Sequence, residues 1–382
     1  MTATLDSLRF PLKGTVSAND MERLLAEASH PDVKHVSLDV RGIKNDSAVG
    51  AARAVGVLAE LRRRSIPVEV VLDLGGSDRT VRDSRFQSFF VDQAFGFTLG
   101  SFATDIRTVQ GQSVRKEVAD LQRVALDENE GVIGKGDQIA MPMLDTFPWP
   151  TRAALVNADT VSDFAAQLRT AVRRLGLPPL PALSSIADFA WETLENGAQH
   201  ATTDNNGQKV NGLRMILIRR IGIRGAEKER LADLGAGPGQ RFIDDLYRRE
   251  SADFLAKQVL VEVTVVDSGI GIPARLSGDD DIYDGPHDEE VRYVNRAVEA
   301  KTTSKVVNDP DVGLGLWKAM HACFELSGVA VVRTGRTTVG RDYTGDERRW
   351  PDPELYAVHD VQHRIAGTAW TLVVPWWERG LF

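Results

Sequence analysis

Val261-Glu262-Val263-Thr264-Val265-Val266-Asp267-Ser268-Gly269-Ile270-Gly271-Ile272-Pro273 begins as a run of β-branched residues and ends in an acid followed by two glycines. The run predicts a strand, here placed at Leu260 to Asp267, with Asp267 at its end. A carboxylate in that place can accept a hydrogen bond from an exocyclic amino group such as that of adenine. Gly269 and Gly271 let the backbone turn sharply and let a flat base lie close. Alone, the same seven residues from Asp267 also describe an ordinary turn after a buried strand.

Two further patterns flank this one. Downstream, Val312-Gly313-Leu314-Gly315-Leu316 runs straight into a helix at Trp317 to Leu326. Backbone N–H groups at a helix start bind phosphate, and glycines permit close approach. Lys301, Thr302, Thr303, Ser304 and Lys305 lie just before it and can add hydroxyl and ammonium contacts. Upstream, the helix expected from Leu183 to His200 carries Glu192 and Asn196 at i,i+4, so both project from one face. A glutamate can polarise a water, and an asparagine oxygen suits Mg²⁺, which uses few protein ligands. Gly197 follows at a cost of ~1 kcal/mol relative to alanine in a helix. Each pattern singly has a plain explanation: an exposed helix face, a tight packing turn.

Taken in order, Glu192…Asn196, then DSGIGIP from Asp267, VGLGL from Val312 and Gly367-Thr368 before a last strand resemble the GHKL ATPase superfamily. Its members include histidine kinases, bacterial serine-kinase anti-sigma factors, the gyrase B subunit and the large heat-shock chaperone. The resemblance covers roughly Thr160 to Pro375. It implies an α/β sandwich of the Bergerat type with a mixed sheet, preceded by a smaller α/β domain. It further implies ATP and Mg²⁺ as cofactors, with Glu192 activating the attacking water and Asn196 holding the metal. Asp267 would read adenine, with Gly269 and Gly271 as its turn and Thr368 nearby. Gly313, Leu314, Gly315 and Leu316 would line the phosphates, with Thr303, Ser304 and Lys305 in a lid running from Ala274 to Asp311. The acids from Asp279 to Glu290 are expected to be merely solvated. The sequence departs from the family at Gly197, where alanine is usual, at Gln199, and in the extra length of Gly222 to Lys257.

The first ~75 residues read as strand (His35 to Val40), helix (Ala48 to Arg64, alanine, valine and leucine on one face) and strand (Val68 to Leu72), a parallel unit of an α/β domain. Asp39, Asp46 and Ser47 give this part a loose resemblance to STAS domains, in which Ser47 would hold the phosphorylation position. Pro142, Pro148 and Pro150 suggest the domain junction. The expected division is 1–110 for the α/β domain, 111–154 for a linker or subdomain, and 155–382 for the nucleotide domain.

The 382 residues, 42% hydrophobic and 26% charged, suit an ordinary globular protein, and the net charge of -8 argues against a general nucleic-acid or anionic-membrane surface. The single Cys323 excludes an internal disulfide and reads as a buried helix residue. No apolar run approaches the ~20 residues of a membrane span and no secretory signal is read, so a cytoplasmic chain is expected. No histidine sits in a recognisable phospho-acceptor helix. The leading expectation is an ATPase or serine-kinase-like regulator acting on a protein partner. The alternatives are a non-hydrolysing ATP-gated switch and a histidine-kinase relative without its acceptor. Homodimer formation stays open.

Overall fold

Strict alternation of exposed and buried residues makes Ser7–Val16 (β1) a strand with one apolar face. Ser17 then caps helix α1 (Ala18–Ala28) in a capping box with Asp20. The computed structural model describes residues 6–46, 48–75, 79–129, 132–134, 137–144, 161–178, 182–206, 208, 212–223, 237–299, 314–344 and 354–377. After α1 come β2 (His35–Asp46), α2 (Ala48–Arg63), β3 (Val68–Leu72), α3 (Phe86–Asp92), α4 (Ala94–Phe102), β4 (Asp105–Thr108) and α5 (Arg115–Glu128). The four strands are parallel in the order β1-β2-β3-β4. Right-handed crossovers in consecutive order put the helices on one face. The other face carries ion pairs: Asp39 with Arg9 and Arg41 at 3.0 and 2.5 Å, and Arg107 with Asp105 at 2.5 Å. The Arg41 hydrogen bond holds the Asp39 carboxyl well below its usual range.

The second sheet is built from β5 (Gln138–Leu144), β6 (Leu213–Gly222), β7 (Val259–Asp267), β8 (Val329–Gly335), β9 (Thr337–Asp342), β10 (Tyr356–Ala357) and β11 (Ile365–Pro375), in the order β10-β9-β8-β11-β7-β6-β5. Every neighbouring pair is antiparallel, which corrects the expected mixed sheet. Between β5 and β6 the chain passes through a helix pair, α6 (Val161–Arg174) and α7 (Ala182–His200), which returns it to the end it left. The parallel strands β7 and β8 are kept apart by β11. Pro142 lies inside β5, opposite Met215, so the chain enters the second sheet before the prolines expected to mark the junction. A proline is tolerated there because β5 is an edge strand.

The inner face of this sheet, with Ile218, Val263 and Leu372, packs on α6, α7 and α12 (Gly315–Glu325). Cys323 of α12 is fully buried there, and burial pushes its thiol pKa up. The outer face is buried too. Helices α8 (Pro238–Arg249) and α9 (Ala252–Leu255), from the stretch noted as unusually long, cover part of it through Phe242, Leu246 and Leu255. Helix α2 covers the rest, sharing one core with Met215, Val266 and Ala369. Residues 49–61 are consequently all buried, which corrects the reading of one apolar face. A helix buried all round belongs between two layers, and its buried charges, Arg53 and Glu60, are both paired. At this seam Glu22 of α1 takes both Arg53 of α2 and Arg333 of β8. Burial, and after it the nearby Arg53 guanidinium, push the Arg333 pKa down to about 9, against the pull of the Glu22 carboxylate.

Gly56 marks how closely α2 lies on β11: a Cβ there would stand 2.9 Å from the Ala366 carbonyl oxygen. In a free helix a larger residue than glycine adds stability. Here Gly56→Val is expected to lower the unfolding free energy by about 1–3 kcal/mol, the usual cost of overpacking. Urea denaturation reads this directly, and an unshifted midpoint would contradict the close packing of α2 on β11.

The acidic stretch after β7 forms α10 (Ile272–Ser277), a 3₁₀ turn (Asp280–Asp284) and α11 (His287–Val298). Tyr283 and Glu290 are buried, and Glu290 accepts the Arg336 backbone N–H at 2.8 Å and its side chain at 2.5 Å. The expectation that these acids are only solvated therefore fails for Glu290. Its charge is matched by the β8–β9 turn, a contact 46 residues away in sequence. No helix among the described residues is long and apolar enough to cross a membrane.

Candidate functional site

Side chains of Val263, Val265 and Asp267 alternate onto the inner face of β7, so Asp267 emerges beside α7. In register, Asp267 stands between Arg214 of β6 and Thr368 of β11. Its Oδ1 accepts the Gly269 N–H at 2.9 Å, which closes the turn. Gly269 has no room for a side chain: a Cβ would come within 2.6 Å of Ala201 Cα at the end of α7. At Gly197 a Cβ would meet Asp267 Cβ at 3.5 Å and Oδ2 at 3.8 Å, which is ordinary contact. The alanine usual at this position in the resembled family would fit, so the departure leaves the geometry unchanged.

The neighbouring turns are fixed by one hydroxyl. Thr334 Oγ1 donates to the Gly367 carbonyl at 3.0 Å, accepts the Ile272 N–H at 3.1 Å and lies 3.2 Å from Thr368 Oγ1. Gly271 and Gly367 have φ of 87° and 75°, the left-handed region that favours glycine. Gly367 sits at an irregularity in β11, and a Cβ there would run into the Asp267 carbonyl. Arg275 of α10 ties the far end of α7 to this turn, donating to His200 O at 2.6 Å and also to Thr203 O. Sequence reading missed Thr334 and Arg275, since neither lies in a local motif.

At the other end of the site, α7 runs beside α12. A Cβ on Gly315 would stand 3.0 Å from Glu192 Oε2. Lys318 Nζ lies 3.7 Å from Glu192 Oε1, and the carboxylate side chain is only 19% exposed. Burial raises the Glu192 pKa; Lys318 opposes this, while Glu195 and Asp188 add to it. Asn196 is half-buried one turn further along α7. Leu314 precedes the first turn of α12, and Leu316 is buried in the inner core.

Helix α7 thus links Asp267, Gly269 and Thr368 at the ends of β7 and β11, which it meets at Gly197 and just past its C-terminus at Ala201, to Gly315, which it meets at Glu192; Asn196 lies between on the same helix. From Glu192 to Gly197 the helix rises about 7.5 Å, separating a carboxylate at a helix start from a carboxylate at a strand end. Lys301, Thr302, Thr303, Ser304, Lys305 and Gly313 lie outside the described residues, as does Ser47. Among the described residues no group of three or more His, Cys, Asp or Glu is placed to hold a metal ion. A Mg²⁺ here would depend on phosphate oxygens and retained waters together with the Asn196 amide oxygen, all of them the hard oxygen donors such an ion takes.

The chain has no match among protein-family models, curated proteins or solved structures.

Proposed function

We propose that this chain is a Mg²⁺-dependent ATP-binding protein of GHKL type, turning over ATP as an ATPase or transferring its phosphoryl group to a protein partner. The observation that supports it most is that a single helix, α7, meets Asp267 at Gly197 and the start of α12 at Glu192, five residues earlier. In this reading adenine lies against Asp267 and Thr368, and the phosphates extend along α7 toward Gly315. Asn196 holds the metal midway. Glu192 accepts a proton from the attacking water or acceptor hydroxyl. The segment from Ala274 onward covers the nucleotide and carries its state to the partner.

Incubation of the purified chain with γ-labelled ATP and Mg²⁺ tests this. Free labelled phosphate is expected for an ATPase, and label on a protein for a kinase. Bound but unchanged ATP would turn the reading to a nucleotide-gated switch. No detectable binding at millimolar ATP would remove it altogether.

A further inference from the structure

Lys318 lies three residues after Gly315, one turn along α12 and on the same face. Its ammonium stands 3.7 Å from Glu192 Oε1, while the other oxygen, Oε2, faces Gly315. Among the described residues the charged groups facing Glu192 are Asp188 and Glu195 on α7, both acidic, and Lys318 on α12. Among the described residues, Lys318 is therefore the one cation shown opposing burial and two like charges at Glu192. Nothing in the sequence motifs assigned it a role.

We infer that Lys318 is a positioning residue for Glu192, its ammonium aiming the carboxylate at the first turn of α12, where the terminal phosphate is proposed to lie. The inference rests on the reading of Glu192 as the base. A half-exposed ion pair contributes little to stability, so a stability measurement does not separate a positioning role from an ornamental one. Protonation does. A nearby cation favours the ionised carboxylate, and a base must be ionised to accept a proton. Removing the cation raises the Glu192 pKa, and the acid limb of turnover moves to higher pH.

The experiment compares the parent with Lys318→Met and Lys318→Arg in the full chain. Carboxyl-carbon NMR follows Glu192 without nucleotide, its signal assigned by loss in Glu192→Gln. The pH profile of ATP turnover is measured in parallel. The expected result is a higher Glu192 midpoint and a matching upward shift of the acid limb in Lys318→Met, both restored in Lys318→Arg. An identical midpoint in all three proteins overturns the inference. So does a shifted midpoint with an unmoved limb in a parent that turns over ATP. A parent that binds ATP but shows no turnover at any pH removes Glu192 as base, and this inference with it.

Discussion

Asp267→Asn is expected to keep the fold and lose most of the affinity for ATP. The two carboxylate oxygens have different surroundings. Oδ1 accepts the Gly269 N–H at 2.9 Å and holds the turn. Oδ2 lies on the α7 side, 3.8 Å from where a Cβ on Gly197 would stand, and is the oxygen proposed to accept from adenine. An asparagine retains an acceptor for the turn but presents an NH₂ donor where the base also presents a donor. Losing a hydrogen bond to a charged group costs about 1.5–3 kcal/mol, or about ten- to a hundredfold in Kd. Asp267→Ala removes the same contact and also leaves the Gly269 N–H without its acceptor. It is expected to abolish measurable binding and to unfold at a lower temperature. Titration calorimetry with ATP and Mg²⁺, alongside thermal unfolding, separates the two variants. An unaltered Kd in both would refute adenine recognition by Asp267.

The parts of this site legible in the sequence are those made by neighbours in the chain. The β-branched run ending at Asp267 is a strand because its residues suit one, and the two glycines after it mark a turn. Glu192 and Asn196 share a face by helical spacing alone. The contacts that hold these pieces together were not legible. Thr334 joins Ile272 and Gly367 across 62 and 33 residues, and Arg275 reaches back 75 residues to His200. Neither has a local signature, because threonines end strands and arginines end short helices for many reasons. The layering was hidden likewise. Glu262 and Thr264 alternate with valines as though β7 had a wet face, yet both are buried under the outer layer. There Glu262 pairs with Arg219 at 2.7 Å and Thr264 meets Thr371 at 3.0 Å. Alternation specifies which residues share a face, not what covers it. The helix that covers much of it, α2, comes from the other end of the chain. The small alanines and glycines that let it lie between two sheets read equally well as one apolar face.

Glu192→Ala is expected to keep ATP binding and to lose turnover. The carboxylate is mostly buried, lies against Gly315 and pairs with Lys318, so it faces the proposed phosphate end rather than the base end of the site. In the ground state an anion near a triphosphate adds little to binding, and its removal there leaves the affinity equal or slightly higher. The loss falls on the transition state, where the proton of water or of an acceptor hydroxyl must be taken up. A positioned general base contributes typically ~10²–10⁴-fold, so kcat is expected to fall by about that factor while Kd stays near the parent value. Glu192→Gln preserves shape and hydrogen bonding but not basicity, and it is expected to match the alanine variant in rate. Agreement between them assigns the loss to the proton, not to the packing of α7 on α12. Single-turnover measurement at saturating ATP gives the chemical step without product release. Equal rates in the parent and both variants would leave Glu192 a buried acid paired with Lys318 and place the base elsewhere in the chain.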